Sequence, residues 1–199
     1  MESINNISSE YDFINQRIPC LYSSVFTPSQ IDQVVKFCTL TPLEPTSDII
    51  KNGKKIPNNN LSRNSKVFNY NDSLKSFFKT LDNYIGISNK ETYNFELNSY
   101  LEHRYMEYST SKEGLNWHLD IGPGKYNKRK LSYSIFANNP SEYEGGDLEI
   151  ILDHDKTFKV PKEKGNLVIF PSYLLHRVTP ITKGVRKVIV GFIGGKPFK

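Results

Sequence analysis

The chain has 199 residues, a length close to that of one domain. Apolar residues make up 37% and charged residues 24%, which is typical of a soluble globular domain, and no apolar run reaches the ~18 residues of a membrane helix. The net charge of +5 excludes neither a nucleic acid nor an anionic substrate as a partner.

The N-terminal segment and the cysteines indicate the compartment. Residues Met1–Phe13 are polar and contain no basic segment followed by an apolar stretch, so no secretion signal is expected. Cys20 and Cys38 match no zinc or redox spacing. We therefore expect a cytoplasmic protein that does not associate with a membrane.

The first predicted helix follows Thr27-Pro28-Ser29-Gln30, a capping box with proline in the first turn. Its apolar stripe then recurs with helical spacing at Ile31, Val34, Val35 and Cys38.

A second helix is predicted to begin near Asn71 or Asp72 and to end at Gly86. Its apolar stripe consists of Leu74, Phe77, Phe78, Leu81 and Ile85. Both stripes are interpreted as parts of the core.

A long polar stretch from Thr41 to Lys66 separates the helices and predicts a loop, which we interpret as a candidate lid over an active site. Basic residues without acids cluster in Lys51–Lys66 and again in Lys125–Lys130. Solvated loops are favoured over a nucleic-acid surface, because Tyr126 is the single aromatic residue among these charges.

Short β-rich runs separated by turns fill the chain from about Thr92 onward, which favours a sandwich or barrel. The turns are predicted at Asn138-Asn139-Pro140, Gly145-Gly146, Lys164-Gly165 and Thr182-Lys183-Gly184. We expect one domain over residues 1–199, with a helical and loop part at about 1–90 and a catalytic β core at about 92–199.

A candidate metal site begins with Trp117-His118-Leu119-Asp120. On a strand, this spacing directs an imidazole and a carboxylate to the same face. His176 follows the apolar segment Leu167–Pro171 and supplies a third ligand. Two histidines and one carboxylate form the facial triad of non-haem iron(II) and leave coordination positions open. A catalytic zinc hydrolase also needs three ligands, so the triad alone leaves the reaction open.

Arg186 suggests a second binding function. It follows a predicted turn over 179–184 that would return the chain towards the metal, and its neighbours on the same strand face are apolar. A guanidinium in an apolar pocket needs an anion, and a carboxylate accepts two hydrogen bonds from it. The alternative is an arginine on a solvent-exposed edge.

The other two histidines are assigned no ligand role. His154 lies in Asp153-His154-Asp155, which reads as a solvated hairpin turn, although a second metal site there is an alternative. His103 lies between Glu102 and Arg104 and is expected at the surface.

From Tyr108 to the C-terminus the sequence resembles the prolyl 4-hydroxylase-like 2-oxoglutarate/Fe(II)-dependent dioxygenases, and most closely the bacterial and phage PKHD-type hydroxylases. The N-terminal half resembles them only loosely, through its helices and Leu61–Ser65. The segments that carry the resemblance are WHLDIG (117–122), RKLSYSIFANNPSEYEGGDLEI (129–150) and GNLVIFPSYLLHRVTPITKGVR (165–186).

The resemblance implies a mainly β fold, a double-stranded β-helix or jelly roll with the N-terminal helices packed on its larger sheet. It implies His118, Asp120 and His176 as ligands of Fe(2+) and Arg186 as the partner of 2-oxoglutarate, with O2 as the second co-substrate and the ascorbate requirement left open. Tyr108 matches a tyrosine that lines the co-substrate pocket, whereas Phe136 stands where some relatives have a second tyrosine.

The activity implied is hydroxylation of a protein or peptide side chain, proline first, with release of succinate and CO2. Three alternatives remain: a hydroxylase or demethylase of nucleic acid, a hydroxylase of a free amino acid or other small metabolite, and a catalytically silent jelly-roll binding module. The sequence does not determine the oligomeric state.

Overall fold

The computed structural model describes residues 18–46, 49–51, 54–56, 63–111, 114–153 and 156–198. None of the helices in these ranges is both long and apolar enough to cross a membrane.

The first helix, α1 (Pro28–Thr39), begins as the capping box predicts. The Thr27 hydroxyl accepts from the Gln30 N–H, and the Gln30 side chain accepts from the Thr27 N–H. The helix buries the predicted stripe, with Val35 at its margin.

The second helix, α2 (Lys75–Ser88), follows a 3-10 turn at Asp72–Leu74 that is capped by the Asn71 side chain. The prediction that it ends at Gly86 is wrong, because the helix continues into a π-helical segment at Asn89–Tyr93. The chain leaves this segment at Asn94, which adopts a left-handed conformation with φ of 50°. The Asn89 side chain bonds the backbone of Phe95 and stabilises this later exit.

The strands, in chain order, are β1 (Cys20–Tyr22), β2 (Glu44–Pro45), β3 (Ile49–Lys51), β4 (Lys54–Ile56), β5 (Arg63–Phe68), β6 (Leu97–Tyr108), β7 (Leu115–His118), β8 (Arg129–Phe136), β9 (Tyr143–Gly145), β10 (Leu148–Asp153), β11 (Lys156–Lys159), β12 (Leu167–Pro171), β13 (His176–Val178), β14 (Ile181–Gly184) and β15 (Arg186–Gly195). Within the described ranges, all of their pairings are antiparallel.

Two sheets of these strands build the β core. A seven-stranded sheet has the order β1-β12-β8-β15-β6-β5-β2, and a four-stranded sheet has the order β11-β10-β13-β7. Strand β8 shows how the larger sheet is used on both faces. Leu131, Tyr133 and Ile135 pack with the helices, whereas Phe136 packs with residues of the smaller sheet such as Ile150. The expected mainly β architecture, with helices on the larger sheet, is confirmed.

The prediction of one long loop from Thr41 to Lys66 is wrong for much of that stretch. Strand β5 pairs with β6, β2 pairs with β5, and β3 and β4 form a hairpin. In β5 only Ser65 and Phe68 are buried, so the strand shows no apolar alternation that a sequence pattern could reveal. Residues 47–48, 52–53 and 57–62 lie outside the described part of the chain.

Three further local predictions need correction. The β-rich part does not begin at Thr92, because Tyr93 ends the π-helical segment and its hydroxyl bonds the Ile169 carbonyl. Thr182-Lys183-Gly184 is not a turn, since β14 pairs with β9. The Lys125–Lys130 stretch is not wholly a solvated loop either, because Lys130 is buried in β8 and its ammonium lies 3.2 Å from the centre of the Phe198 ring.

Candidate metal and co-substrate site

His118 and His176 are brought together by strand pairing. His118 ends β7 and His176 begins β13, and the two residues are direct partners in the antiparallel register. Each imidazole contacts the carbonyl two residues earlier in the chain. Nδ1 of His118 lies 2.7 Å from the Asn116 carbonyl oxygen, and Nδ1 of His176 lies 2.9 Å from the Leu174 carbonyl oxygen. A carbonyl only accepts hydrogen bonds, so both Nδ1 atoms carry the proton and both Nε2 atoms are free as ligands.

The carboxylate of Asp120 joins these imidazoles from a bend after β7. Its Oδ1 lies 3.8 Å from His118 Nε2 and its Oδ2 lies 3.4 Å from His176 Nε2. The expectation that His118 and Asp120 share one strand is therefore wrong, although the two side chains converge. Burial and the neighbouring His176 lower the pKa of His118, while Asp120 opposes this shift, so the neutral ligand form is favoured.

The three side chains fit one metal ion. Their ligand atoms all lie within 4.8 Å of one another. Bond lengths of about 2.1 Å would place adjacent ligand atoms about 3 Å apart, so the three side chains would draw closer together around a bound ion. Two neutral imidazoles and one carboxylate are the donor set suited to non-haem iron(II).

Arg186 is buried beside this triad rather than on a solvent edge. Its side chain is 1% exposed, and its guanidinium carbon lies 5.3 Å from the centre of the Tyr108 ring and 5.5 Å from that of Phe136. Its Nε is buried without a hydrogen-bond partner among the described residues. A buried guanidinium with an unsatisfied donor fits an anionic ligand such as a carboxylate.

Strand register places Tyr108 next to Arg186. Arg186 pairs with Tyr108, and Tyr108 pairs in turn with Arg63 on the next strand. The Tyr108 ring is 2% exposed and lies between the two guanidinium groups, 5.7 Å from the carbon of Arg63.

One cavity of about 250 Å³ connects these groups. Its lining includes the metal triad, Arg186 and Tyr108, and the apolar side chains of Val190 and Phe192 complete the strand face predicted from the sequence. The cavity is large enough for a small dicarboxylic acid beside a metal ion. It therefore combines a candidate metal site and a candidate anion site in one space.

Residues 103–194 match the family model described as the 2OG-Fe(II) oxygenase superfamily. This segment is similar to that superfamily. It contains all three members of the triad, together with Tyr108 and Arg186. The 2OG-Fe(II) oxygenase superfamily implies Fe(2+), 2-oxoglutarate and O2 as cofactor and co-substrates, which agrees with the donor set of the triad and with the buried, unsatisfied Nε of Arg186 among the described residues.

Curated relatives of this oxygenase segment are hydroxylases. A PKHD-type hydroxylase of Synechococcus sp. (strain CC9902) is 40% identical over 82 residues, covering 41% of this chain and 36% of the relative. A PKHD-type hydroxylase of Prochlorococcus marinus (strain NATL2A) is 30% identical over 145 residues, covering 72% of this chain and 65% of the relative. The chain spans only 36% to 41% of the length of the first relatives that it matches.

Solved structures of similar fold include prolyl hydroxylases. A Pseudomonas putida prolyl-4-hydroxylase has a TM-score of 0.71 at 15% identity, covering 93% of this chain and 96% of that chain. A Trichoplax adhaerens prolyl hydroxylase, in complex with a hypoxia inducible factor oxygen degradation domain peptide fragment, has a TM-score of 0.73 at 16% identity, covering 91% and 85%. These similarities show that the chain has the double-stranded β-helix fold.

Of the two remaining histidines, the described part of the chain contains His103, which lies away from the triad. The prediction that His103 lies at the surface is wrong: it is 4% exposed, and its Nδ1 lies 2.6 Å from the Tyr133 hydroxyl oxygen on the helix-facing side of the larger sheet. Burial lowers the pKa of His103 to about 4, so the ring is neutral. His154 lies outside the described residues.

Sequence reasoning missed several residues that contact the site. Ser132 and Ser172 form hydrogen bonds around Asp120, and Arg63 lines the cavity from β5. The burial of Tyr143 near Arg186 was also missed; burial raises the pKa of its phenol, and the Arg186 charge opposes this. One signal was available, since the serines of Leu131-Ser132-Tyr133-Ser134-Ile135 interrupt a strand that is otherwise apolar.

Proposed function

We propose that this chain is a 2-oxoglutarate- and Fe(II)-dependent hydroxylase of a protein or peptide side chain, with proline as the first candidate. The observation that carries the proposal is that the triad and the buried guanidinium of Arg186 line the same cavity, and that the Nε of this guanidinium has no hydrogen-bond partner among the described residues. A metal site without an anion site would fit a hydrolase equally well.

In this proposal His118, Asp120 and His176 hold the metal on one face and leave its other positions open. When iron, 2-oxoglutarate and O2 are bound, they supply the oxidative decarboxylation to succinate and CO2 and the insertion of one oxygen atom into a C–H bond. The Nδ1–H bonds to the Asn116 and Leu174 carbonyls fix both imidazole orientations.

Arg186 receives the distal carboxylate of 2-oxoglutarate in this scheme. Its guanidinium already lies against the Tyr108 and Phe136 rings, and the buried Val188 follows on the same strand face. These apolar groups exclude water and lower the local dielectric constant, which strengthens an ion pair with a dicarboxylic acid. Tyr108 lines the same space and limits the orientation of the bound acid.

A peptide substrate is favoured over a nucleic acid by the distribution of charge. Two members of the basic clusters are engaged within the fold: Arg63 bonds the Thr46 carbonyl within the sheet, and Lys130 is buried. The fold neighbour from Trichoplax adhaerens was solved with a peptide, which supports the same choice.

We further propose that residues 1–199 form one domain, since α1 and α2 share a core cluster with β8 and β15.

The test is turnover with separate substrate pools. The protein is incubated with Fe(II), 2-oxoglutarate and, in parallel, proline-containing peptides, single-stranded oligonucleotides or free amino acids. We expect peptide-dependent succinate release and a mass gain of one oxygen atom on the peptide. Oxygen gain confined to the oligonucleotide or amino-acid pool would reject the peptide assignment, and absence of succinate in every pool would reject the oxygenase.

A further inference from the structure

Asp120 is held by a different sheet from the two histidines. His118 and His176 lie on paired strands of the four-stranded sheet. The backbone of Asp120 instead forms hydrogen bonds with Ser172, which directly follows β12, and with Arg129, which begins β8; both strands belong to the seven-stranded sheet. The Asp120 N–H donates to the Ser172 carbonyl at 2.9 Å, and its carbonyl accepts from Arg129 at 3.1 Å. The third member of the triad therefore links the two sheets.

The Asp120 side chain is bonded from the same side. Its Oδ2 accepts a hydrogen bond of 2.7 Å from the Ser132 hydroxyl, and the hydroxyl oxygens of Ser132 and Ser172 lie 2.9 Å apart. A serine hydroxyl has one proton. Because Ser132 gives its proton to Asp120, Ser172 is the donor to Ser132, and the bonds run in one direction from Ser172 through Ser132 to the carboxylate.

Both serines are shielded from solvent. Ser132 is 2% exposed and Ser172 is 0% exposed, so bulk water does not replace either hydroxyl as a donor to Asp120. Ser172 is itself fixed by its N–H, which donates to the Lys130 carbonyl at 2.9 Å. A buried hydroxyl costs free energy unless it is hydrogen-bonded, and here each of the two hydroxyls takes part in the chain that ends on the candidate metal ligand.

We propose that Ser132 and Ser172 are positioning residues that set the orientation of the Asp120 carboxylate for metal binding. The inference rests on the proposed function, because it takes Asp120 as a metal ligand. The bond from Ser132 restrains rotation of the carboxylate, so the folded protein presents one orientation before the metal arrives. Partners of this kind typically contribute about 10–100-fold in metal affinity.

The test measures metal binding rather than turnover. Wild-type apoprotein and the variants Ser132→Ala, Ser132→Thr and Ser134→Ala are titrated with Co(II), and the dissociation constant is read from the visible absorption of the bound ion. Ser134 is the matched control: it is buried on the same face of β8 and lines the same cavity, and no hydrogen bond joins it to Asp120 among the described residues.

We expect Ser132→Ala to weaken Co(II) binding by about 10–100-fold, with Ser132→Thr near wild type because the hydroxyl is retained. Ser134→Ala should leave the dissociation constant unchanged. At saturating metal, the KM for 2-oxoglutarate of Ser132→Ala should equal that of the wild type, because Arg186 is untouched. A general loss of packing would raise that KM as well.

Ser172→Ala provides a second variant, with a smaller change in the same direction because only the donor to Ser132 is lost. Thermal unfolding of each apoprotein identifies a variant that fails to fold. If Ser132→Ala fails to fold, the Co(II) affinity of Ser172→Ala tests the inference instead. Equal Co(II) affinity in the wild type and the folded variant overturns the inference alone. Wild-type protein that binds no Co(II) overturns the metal site and the inference together.

Discussion

His118 and His176 face each other across two antiparallel strands, with their ring centres 4.2 Å apart. Each ring donates its Nδ1 proton to the carbonyl two residues earlier, at Asn116 or at Leu174. The same local contact on two paired strands turns both Nε2 atoms towards Asp120. The pairing of β7 with β13 thus determines the geometry of the candidate metal ligands.

Loss of either imidazole should abolish metal-dependent chemistry. We expect His118→Ala and His176→Ala to bind no iron and to reduce succinate release to the background without enzyme, because two remaining ligands hold the ion too weakly. Metal content after gel filtration and succinate release are the measurements, with Gly86→Ala, in the helix remote from the cavity lining, as the control. Retention of stoichiometric iron and turnover by either variant would contradict the assignment.

Replacing Arg186 should weaken the binding of 2-oxoglutarate without lowering the stability of the folded protein. Arg186→Met removes a charge-assisted hydrogen bond, so the KM for 2-oxoglutarate should rise by about 10–100-fold while Co(II) affinity stays near wild type. The apoprotein should be no less stable than the wild type, because a buried charge that forms no ion pair with the described residues is replaced by an apolar chain. An unchanged KM would show that 2-oxoglutarate is anchored elsewhere.

Gly146 and Gly86 should respond in opposite ways to alanine. Gly146 has a φ of +62°, and an added Cβ would lie 2.8 Å from Cδ of Arg186. Gly146→Ala should therefore cost about 1–3 kcal/mol of unfolding free energy and raise the KM for 2-oxoglutarate by displacing Arg186. Chemical denaturation and steady-state kinetics measure the two effects.

Gly86 is the matched control within α2, where an added Cβ meets nothing within 4 Å. Gly86→Ala should stabilise the protein by about 0.5–1 kcal/mol without a change in KM, since alanine favours the helix. Equal effects of the two substitutions would refute the special role of Gly146.

His103 should make stability depend on pH. Burial lowers its pKa from 6.5 to about 4 in the folded state, so the unfolded chain binds the proton first as pH falls. His103 thus makes its full contribution to the free energy of unfolding above pH 6.5. Below that pH the contribution declines towards pH 4, by about 1.4 kcal/mol per pH unit.

The comparison of the wild type with His103→Gln isolates this effect. Their difference in unfolding free energy should shrink by about 1.5 kcal/mol between pH 6.5 and about 5, because glutamine does not titrate in this range. Urea denaturation at several pH values gives the slopes. Parallel stability curves for the two proteins would show that His103 is accessible to protons in the folded state.

The sequence by itself determined the features whose causes are local. The capping box at Thr27 and the apolar stripe behind it predict α1, because both depend on contacts within a few residues. The spacing of His118 and Asp120, with His176 and Arg186 placed in recognisable segments, predicts the ligand set. The end of α2 was missed because it depends on the side chain of Asn89 reaching forward to Phe95.

Only the tertiary structure decided the contacts between distant strands. Ser132 and Ser172 meet Asp120 where two sheets face each other, Arg63 reaches the cavity through the pairing of β5 with β6, and His103 is buried by packing against Tyr133. A sequence records which residues alternate along a strand. It does not record which strand becomes the neighbour, and that pairing decides whether a polar side chain meets solvent, the core or a metal ligand.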